Sequence, residues 1–272
     1  LHELSGRVFL KCYKARWQGK DVLVEEGEAR QIRPLLQNWA QKLAQWRSLS
    51  HPNLLRLLAV EEKEGRIYFV YEWKEGTSLA SLMKGNQPLE ATQALSLATQ
   101  MAEVLHYLHE NGVVHGFLSP NSFQVRADGE EIYLMDWAGE TLVKKGILAG
   151  GVNLPDRCYH YSAPEVYSGR EPSPLSDWFS LGCLLFQMLT GVHPYSDRFG
   201  RPSLEAMLQG NLLAQDLLDK LPGGLRFILQ PLLSADISQR SVHPIEWIGS
   251  ARALQAEFAS RESKVISRKS FL

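Results

Sequence analysis

The sequence of 272 residues has few cysteines, no long apolar run and no excess of charge of either sign. Its three cysteines, Cys12, Cys158 and Cys183, are odd in number and lack CxxC spacing, which argues against a disulfide framework or a zinc site. We therefore expect a reducing compartment such as the cytoplasm. With 29 Lys and Arg against 30 Asp and Glu, the charge predicts no nucleic-acid partner.

Membrane and export signals are also scarce. The longest low-charge stretch, residues 180–192, is shorter than the roughly 20 residues that a transmembrane helix requires. We expect no transmembrane segment and no signal peptide in this chain. Because the chain begins at Leu1 instead of a methionine, tethering through flanking sequence stays open.

What is present is a folded-protein composition, with 44% apolar and 22% charged residues. Before residue 85 the pattern predicts short strands at residues 8–13, 21–25, 57–61 and 66–72, with one helix over residues 34–49. After it, helices are predicted at residues 89–111, 174–189, 204–209, 225–233 and 245–258, with two strands at 122–125 and 132–135. The basic, Ser-containing segment 261–272 is interpreted as a solvated tail or linker, with a binding arm as the alternative.

A series of short motifs in fixed order resembles the landmarks of the eukaryotic-type protein kinase superfamily. They are His51-Pro52-Asn53, Val70-Tyr71-Glu72, Val114-His115-Gly116-Phe117, Leu134-Met135-Asp136, Ala163-Pro164-Glu165, Asp177-Trp178-Phe179 and Arg240. The resemblance implies an α+β, bilobal kinase-like domain over residues 1–260. Its small antiparallel β lobe, about residues 1–75, carries one helix like the family's αC, and its larger lobe, about 76–260, is mainly helical.

The resemblance weakens where the family binds nucleotide phosphates. The family's glycine loop aligns with residues 5–12, and Ser5, Arg7 and Leu10 stand among the positions where small glycines would let backbone N–H groups approach a phosphate. The alternative is that this segment is an ordinary hairpin without a phosphate role. We therefore expect no phosphate cradle here.

The third strand and the hinge depart from the family as well. Glu25 stands where the family has the lysine that holds the phosphates, so attraction becomes repulsion. Leu23 and Tyr71, the latter at the gatekeeper position, are expected to crowd the adenine slot. Lys42 aligns with the family's αC glutamate, which predicts a swapped Glu25–Lys42 pair. A solvated Lys42 is the alternative, and a slip of one turn would select Asn38 or Trp46.

The catalytic loop lacks the family's base and one metal ligand. Phe117 stands at the position of the proton-accepting Asp, and Ser122 at that of the metal-binding Asn. Asp136 matches the family's metal-binding Asp, but a lone carboxylate is weak support for Mg²⁺, so we interpret it as a polar tie. His115 is interpreted as a packed structural histidine. Gly116 replaces the arginine that meets a phosphorylated activation loop in many kinases.

The remaining landmarks are structural. Glu165 and Arg240 match the family's buried ion pair, and Asp177 matches the start of its central large-lobe helix. Glycines at 146, 150 and 151 predict a mobile activation segment. From the retained scaffold and the altered cleft we expect a pseudokinase domain that is not an enzyme and binds no cofactor or metal.

Such a domain would act as a protein-interaction scaffold or as an allosteric regulator of a partner or linked domain. The protein partner would meet an exposed surface, at residues 204–213 or on the αC-like helix with Trp39 and Trp46. The alternative is a kinase-fold enzyme or nucleotide sensor with non-standard nucleotide binding.

Overall fold

A computed structural model describes residues 2–4, 9–152, 154–197, 201–210, 212 and 214–269, with the side chains of residues 2–4, 36–42 and 264–269 outside the described part. Within these residues, the small-lobe sheet consists of β1 (His2–Leu4), β2 (Lys11–Trp17), β3 (Lys20–Glu28), β4 (Leu57–Lys63) and β5 (Arg66–Glu72), all antiparallel, in the order β1-β2-β3-β5-β4. Leu23 pairs with Tyr71 across β3 and β5. Because strand side chains alternate, Glu25 lies on the same face as this pair.

One helix, α1 (Ala29–Trp46), packs against this sheet. The predicted helix is confirmed, but it begins earlier than residue 34, so Pro34 lies inside it. Ile32, Leu43 and Trp46 are buried at helical spacing on the face toward the core. The predicted small lobe, an antiparallel sheet with a single αC-like helix, is therefore the observed one in the described residues.

The large lobe is mainly helical. It contains a small sheet, β6 (Thr77–Ser78), β7 (Phe123–Val125) and β8 (Ile132–Leu134), with helices α2 (Leu79–Leu82), α3 (Ala91–Glu110), α4 (Gly139–Ala149), α5 (Pro164–Tyr167), α6 (Pro174–Thr190), α7 (Leu204–Leu208), α8 (Gln215–Lys220), α9 (Gly223–Leu229) and α10 (Pro244–Lys269). α10 continues past residue 260, into the segment expected to be a tail.

Helix α6 forms the centre of this lobe. Its start is set by Pro174 and by a capping box between Ser173 and Ser176. Its end is set by Gly191, whose φ of 75° lies in the left-handed region. α6 packs against α3 and α9 and is apolar nearly all round, as expected for a helix enclosed by others.

The segment after Asp136 differs from the sequence expectation. Residues 139–149 form the regular helix α4, so the prediction of a mobile activation segment is wrong for this stretch. The glycine pattern was misleading because Gly146 lies within α4 and contacts α1. A Cβ at this position would lie 2.7 Å from Leu35 Cδ1 of α1. Close packing against α1 explains this glycine better than flexibility does.

None of the described helices combines the length and the apolar run that a bilayer crossing requires. Cys12, Cys158 and Cys183 are all buried.

Candidate functional site: the cleft between the lobes

Helix α4 begins in the cleft, where side chains of the small lobe accept hydrogen bonds from its first N–H groups. The Gly139 N–H donates to the Tyr71 hydroxyl at 2.9 Å, and the Glu140 N–H donates to Glu25 Oε2 at 3.3 Å. The residue before the helix, Ala138, has no side chain that could do this. A carboxylate at a helix N-terminus is also favourable for the helix dipole. Glu25 and Tyr71 therefore stabilise the start of α4.

The Glu140 side chain extends toward the loop that aligns with the family's glycine loop. Its carboxylate accepts hydrogen bonds from the Leu10 N–H at 3.0 Å and from the Phe9 N–H at 3.3 Å. Lys144, one turn further along α4, places its ammonium 3.6 Å from Glu140 Oε1. Glu140 is completely buried, and its carboxylate links the start of α4 to the backbone at Phe9 and Leu10.

The small-lobe residues predicted from sequence fall into two groups. Leu10, Leu23, Glu25 and Tyr71 are all buried, and the Tyr71 hydroxyl donates to Glu25 Oε2 at 2.8 Å. Ser5 and Arg7, and the side chain of Lys42, lie outside the described residues. The Glu25–Lys42 pairing and the crowding of the adenine slot stay predictions.

The catalytic loop is organised around Asp136. His115 Nε2 lies 3.0 Å from one carboxylate oxygen of Asp136, and the Ser122 hydroxyl donates to the other at 3.2 Å. His115 Nδ1 accepts the Phe117 N–H at 3.2 Å, which fixes the turn between them. His115, Phe117, Ser122 and Asp136 are all buried. The interpretation of His115 and Asp136 as structural ties stays a prediction.

Asp177, in the first turn of α6, contacts the same loop. Its carboxylate accepts the N–H groups of His115 at 2.9 Å and Gly116 at 2.6 Å, and it lies 2.8 Å from His109 Nε2. Burial by itself raises the pKa of this carboxyl, but the hydrogen bonds with His109 and the Gly116 N–H hold the pKa below its usual value. Gly116 adopts a φ of 86°, a left-handed conformation that favours glycine.

The ion pair expected between Glu165 and Arg240 is present. The two guanidinium nitrogens lie 2.7 and 2.5 Å from the two carboxylate oxygens, and both residues are buried. Burial opposes the charge on Glu165, but the bidentate contact with Arg240 holds its pKa below the usual value.

A cavity of about 390 Å³ opens beside the catalytic loop. We call it the catalytic-loop cavity. It is lined by the catalytic loop, by α4 and by the activation segment, that is by Ala80, Phe117, Ser119, Pro120, Asn121, Asp136, Glu140, Lys144, Arg157, Cys158, His160 and Tyr161.

A divalent metal fits this site poorly. Kinases hold Mg²⁺ through carboxylates and substrate phosphates, and here Asp136 is the matching carboxylate. Both of its oxygens already accept hydrogen bonds or contact His115. In the described part of the chain, no group of three or more His, Cys, Asp or Glu side chains is arranged to hold a metal ion.

Sequence reasoning missed several residues at the start of α4. Glu140 and Lys144 were not selected, although their spacing of four residues is the signal for an ion pair along a helix. Because a mobile segment was expected here, no helical spacing was considered. Gly139 was missed too: a Cβ there would lie 2.8 Å from the Phe69 ring and closer still to Glu25.

Comparison with known proteins agrees with this geometry. The family profile described as protein kinase domain matches residues 6–243. Sperm motility kinase 2B of Mus musculus is 30% identical over 204 residues, which cover 73% of this chain and 40% of that protein. Serine/threonine-protein kinase PrkC of Bacillus subtilis is 29% identical over 148 residues, 54% of this chain and 22% of that protein. The chain thus matches about two fifths or less of the length of these relatives.

A solved structure shares the fold. The crystal structure of Rad53 in complex with AMP-PNP aligns with a TM-score of 0.71 at 21% identity, covering 90% of this chain and 63% of that one. The match to a kinase domain and the serine/threonine kinase relatives point to an enzyme. The sequence-based expectation that the chain is not an enzyme is therefore wrong, whereas the expected superfamily and bilobal fold are confirmed. The chain belongs to the protein kinase domain family.

Proposed function

We propose that this kinase domain regulates a protein partner or a domain joined to it, and that its own helix α4 controls access to its nucleotide cleft. The observation that carries the proposal is the Glu140 carboxylate, which accepts the N–H groups of Phe9 and Leu10. In kinases, backbone N–H groups of this loop approach the nucleotide phosphates. A buried carboxylate bound to them competes with a phosphate for the same donors.

The altered cleft residues support a closed state. Glu25 cannot attract a phosphate, but it accepts the Glu140 N–H and the Tyr71 hydroxyl. The contact with the Glu140 N–H holds α4 in place, and Glu25 and Tyr71 lie on adjacent strands of one sheet. The substitutions that remove nucleotide contacts therefore also hold the cleft closed, as a regulatory domain requires.

The large lobe offers a surface for a protein. Leu208 and Phe227, with 45% and 74% of their surfaces exposed, line a groove of about 1000 Å³. Among the described residues that line it, Asp236 is the single charged one. Exposed apolar side chains of this kind are typical of protein contacts. This groove includes part of the predicted surface 204–213.

A second candidate is a kinase-fold enzyme, or nucleotide sensor, that binds nucleotide in a non-standard way. Membership of the kinase family favours this candidate. Lys144, a buried cation in the cleft that the sequence analysis did not predict, favours it as well. In this candidate the displacement of Glu140 would free both the loop N–H groups and Lys144 for an anion.

One experiment tests the closed cleft. ATP is titrated, with and without Mg²⁺, into the wild-type chain, Glu140→Gln and the control Glu171→Gln, which changes an exposed glutamate. We expect Glu140→Gln to bind ATP at least tenfold more tightly than the other two, because an amide competes less well for N–H donors than a carboxylate. Tight Mg²⁺-ATP binding by the wild-type chain, with no effect of Glu140→Gln, would contradict a closed cleft and favour the second candidate.

The protein-binding part has its own test. Partners recovered by crosslinking in native cells are identified, and their purified forms are titrated with Phe227→Glu and with Val152→Glu, another exposed apolar residue outside the groove. We expect Phe227→Glu alone to weaken binding. No recovered protein whose purified form binds directly would contradict the regulatory proposal.

A further inference from the structure

Lys144 is a buried cation with few partners. It is 6% exposed and lines the catalytic-loop cavity. It forms an ion pair with Glu140 Oε1 at 3.6 Å, a separation beyond hydrogen-bond distance, and its ammonium lies 5.7 Å from the centre of the Phe117 ring. No hydrogen bond links this ammonium to any described residue. An ammonium carries three N–H donors, and buried donors are normally satisfied, so its surroundings favour an additional acceptor.

A second cation lies at the edge of the same cavity. Arg157, in the short helical turn Asp156–Cys158, is exposed and also lines the cavity. Across the described residues its guanidinium forms no hydrogen bond and no ion pair. A guanidinium is suited to bidentate contact with phosphate or carboxylate. The cavity is thus bounded by a buried ammonium inside and an unpaired guanidinium at its mouth.

The acidic residues of this cavity are committed to other groups. Asp136 contacts His115 and Ser122, and Glu140 accepts the N–H groups of the loop at Leu10. At the position of the family's proton-accepting Asp, this chain has Phe117, whose ring carries no charge. The change removes the group that would most directly repel a doubly charged phosphate in the cavity.

We propose that the catalytic-loop cavity binds the phosphate group of a phosphorylated protein side chain, with Lys144 and Arg157 as its cations and Ser119 and Asn121 as polar donors beside them. This inference rests on the proposed regulatory role and names the class of partner: a protein that has already been phosphorylated. The volume of about 390 Å³ accommodates a phosphate with a short side chain and lies within the range of ligand cavities.

The shape of the site favours a side chain over a nucleotide. None of the described residues that line the cavity belongs to the small-lobe sheet or to the hinge-like segment at Glu72 and Trp73. A nucleotide in a kinase places its base between the lobes, and the Glu140 contact with Leu10 closes that route. A phosphorylated side chain enters from the large-lobe side, between the catalytic loop and the turn that carries Arg157.

The test uses fluorescent peptide libraries that contain one fixed phosphoserine or, as the reference, one fixed serine. We expect the wild-type chain to bind the phosphoserine library at least tenfold more tightly. Arg157→Gln and Lys144→Met should each weaken that binding at least tenfold. Lys144→Arg, which keeps the charge, and Arg170→Gln, which changes an exposed arginine outside the cavity, should leave it nearly unchanged.

Several results would overturn the proposal. Equal binding of the two libraries, or phosphoserine binding that survives Arg157→Gln, would do so; this variant is informative even if Lys144→Met fails to fold, because Arg157 is exposed. Binding of ATP without Mg²⁺, or of inorganic phosphate alone, that depends on Lys144 while the phosphoserine library does not bind would assign the cavity to a small phosphate instead. A purified partner that binds equally well to Arg157→Gln and without phosphorylation would refute this inference while leaving the regulatory role intact.

Discussion

The Tyr71 hydroxyl donates a hydrogen bond to Glu25 Oε2, with 2.8 Å between the two oxygens, in the buried interior of the small lobe. The same hydroxyl accepts the Gly139 N–H at the start of α4. Two positions that differ from the family, one on β3 and one on β5, are therefore joined to each other and to the activation segment. This three-way contact couples the small-lobe sheet to helix α4.

Tyr71→Phe should destabilise the protein more than an ordinary tyrosine-to-phenylalanine change does. It removes a donor from a buried carboxylate, for which we expect a loss of about 1.5–3 kcal/mol in the free energy of unfolding. Tyr161→Phe is the matched control, because the Tyr161 hydroxyl bonds the neutral amide of Gln187 at 2.6 Å and should cost about 1 kcal/mol. Urea unfolding measures both. Equal losses would contradict a special role for the Tyr71–Glu25 contact.

Restoring the family's arginine at Gly116 should destabilise the fold. Gly116 has a φ of 86°, and a Cβ there would lie 2.5 Å from Cβ and Cγ of Pro172. Gly169 has a similar φ of 81° with nothing within 4 Å, so Gly169→Ala isolates the backbone strain, about 1–3 kcal/mol. We expect Gly116→Ala and Gly116→Arg to cost more than this control in chemical denaturation. A Gly116→Arg variant as stable as wild type would show that the loop can adopt the family's backbone.

Acid should destabilise the large lobe through His193. Burial lowers its pKa to about 4, and its ring contacts Tyr161, with His160 and Tyr195 close by. The unfolded chain, with a histidine pKa near 6.5, takes up the proton first. The contribution of neutral His193 to the free energy of unfolding is therefore fully present above about pH 6.5. It is lost as the pH falls from there through about 4, a decrease on the order of 3 kcal/mol.

Unfolding measured from pH 7 to pH 4 tests this sign. His193→Gln should flatten the decline in stability over that range, whereas His243→Gln, at an exposed histidine, should leave it in place. A decline that is identical in wild type and His193→Gln would assign the acid sensitivity to other groups.

The Glu165–Arg240 pair should behave as a unit. Each single change, Glu165→Gln or Arg240→Met, leaves one buried partner without its counterpart, at a cost of about 3–5 kcal/mol. The double variant should cost clearly less than the sum of the two, because no unpaired buried charge remains. A double-mutant cycle by denaturant unfolding measures this coupling, and additive losses would indicate that the two side chains are independent.

The sequence by itself determined the family, the two lobes and the structural landmarks. Motifs such as those at Glu165, Asp177 and Arg240 occur in a fixed order along the sequence, and the predicted ion pair between Glu165 and Arg240 forms. The helical period of α1 and the strand alternation around Leu23 could be predicted for the same reason. Each depends on neighbours within a few residues along the chain.

Only the tertiary structure decided how the start of α4 contacts the small lobe. Glu140 reaches Leu10 across 130 positions of sequence, and Tyr71 reaches Gly139 across 68. The glycines at 146, 150 and 151 predicted mobility because the sequence shows that a glycine backbone is flexible. It does not show which other element of the fold packs against that glycine and restricts it. Gly146 is small so that Leu35 can approach α4, and that requirement exists only once α1 and α4 are packed together.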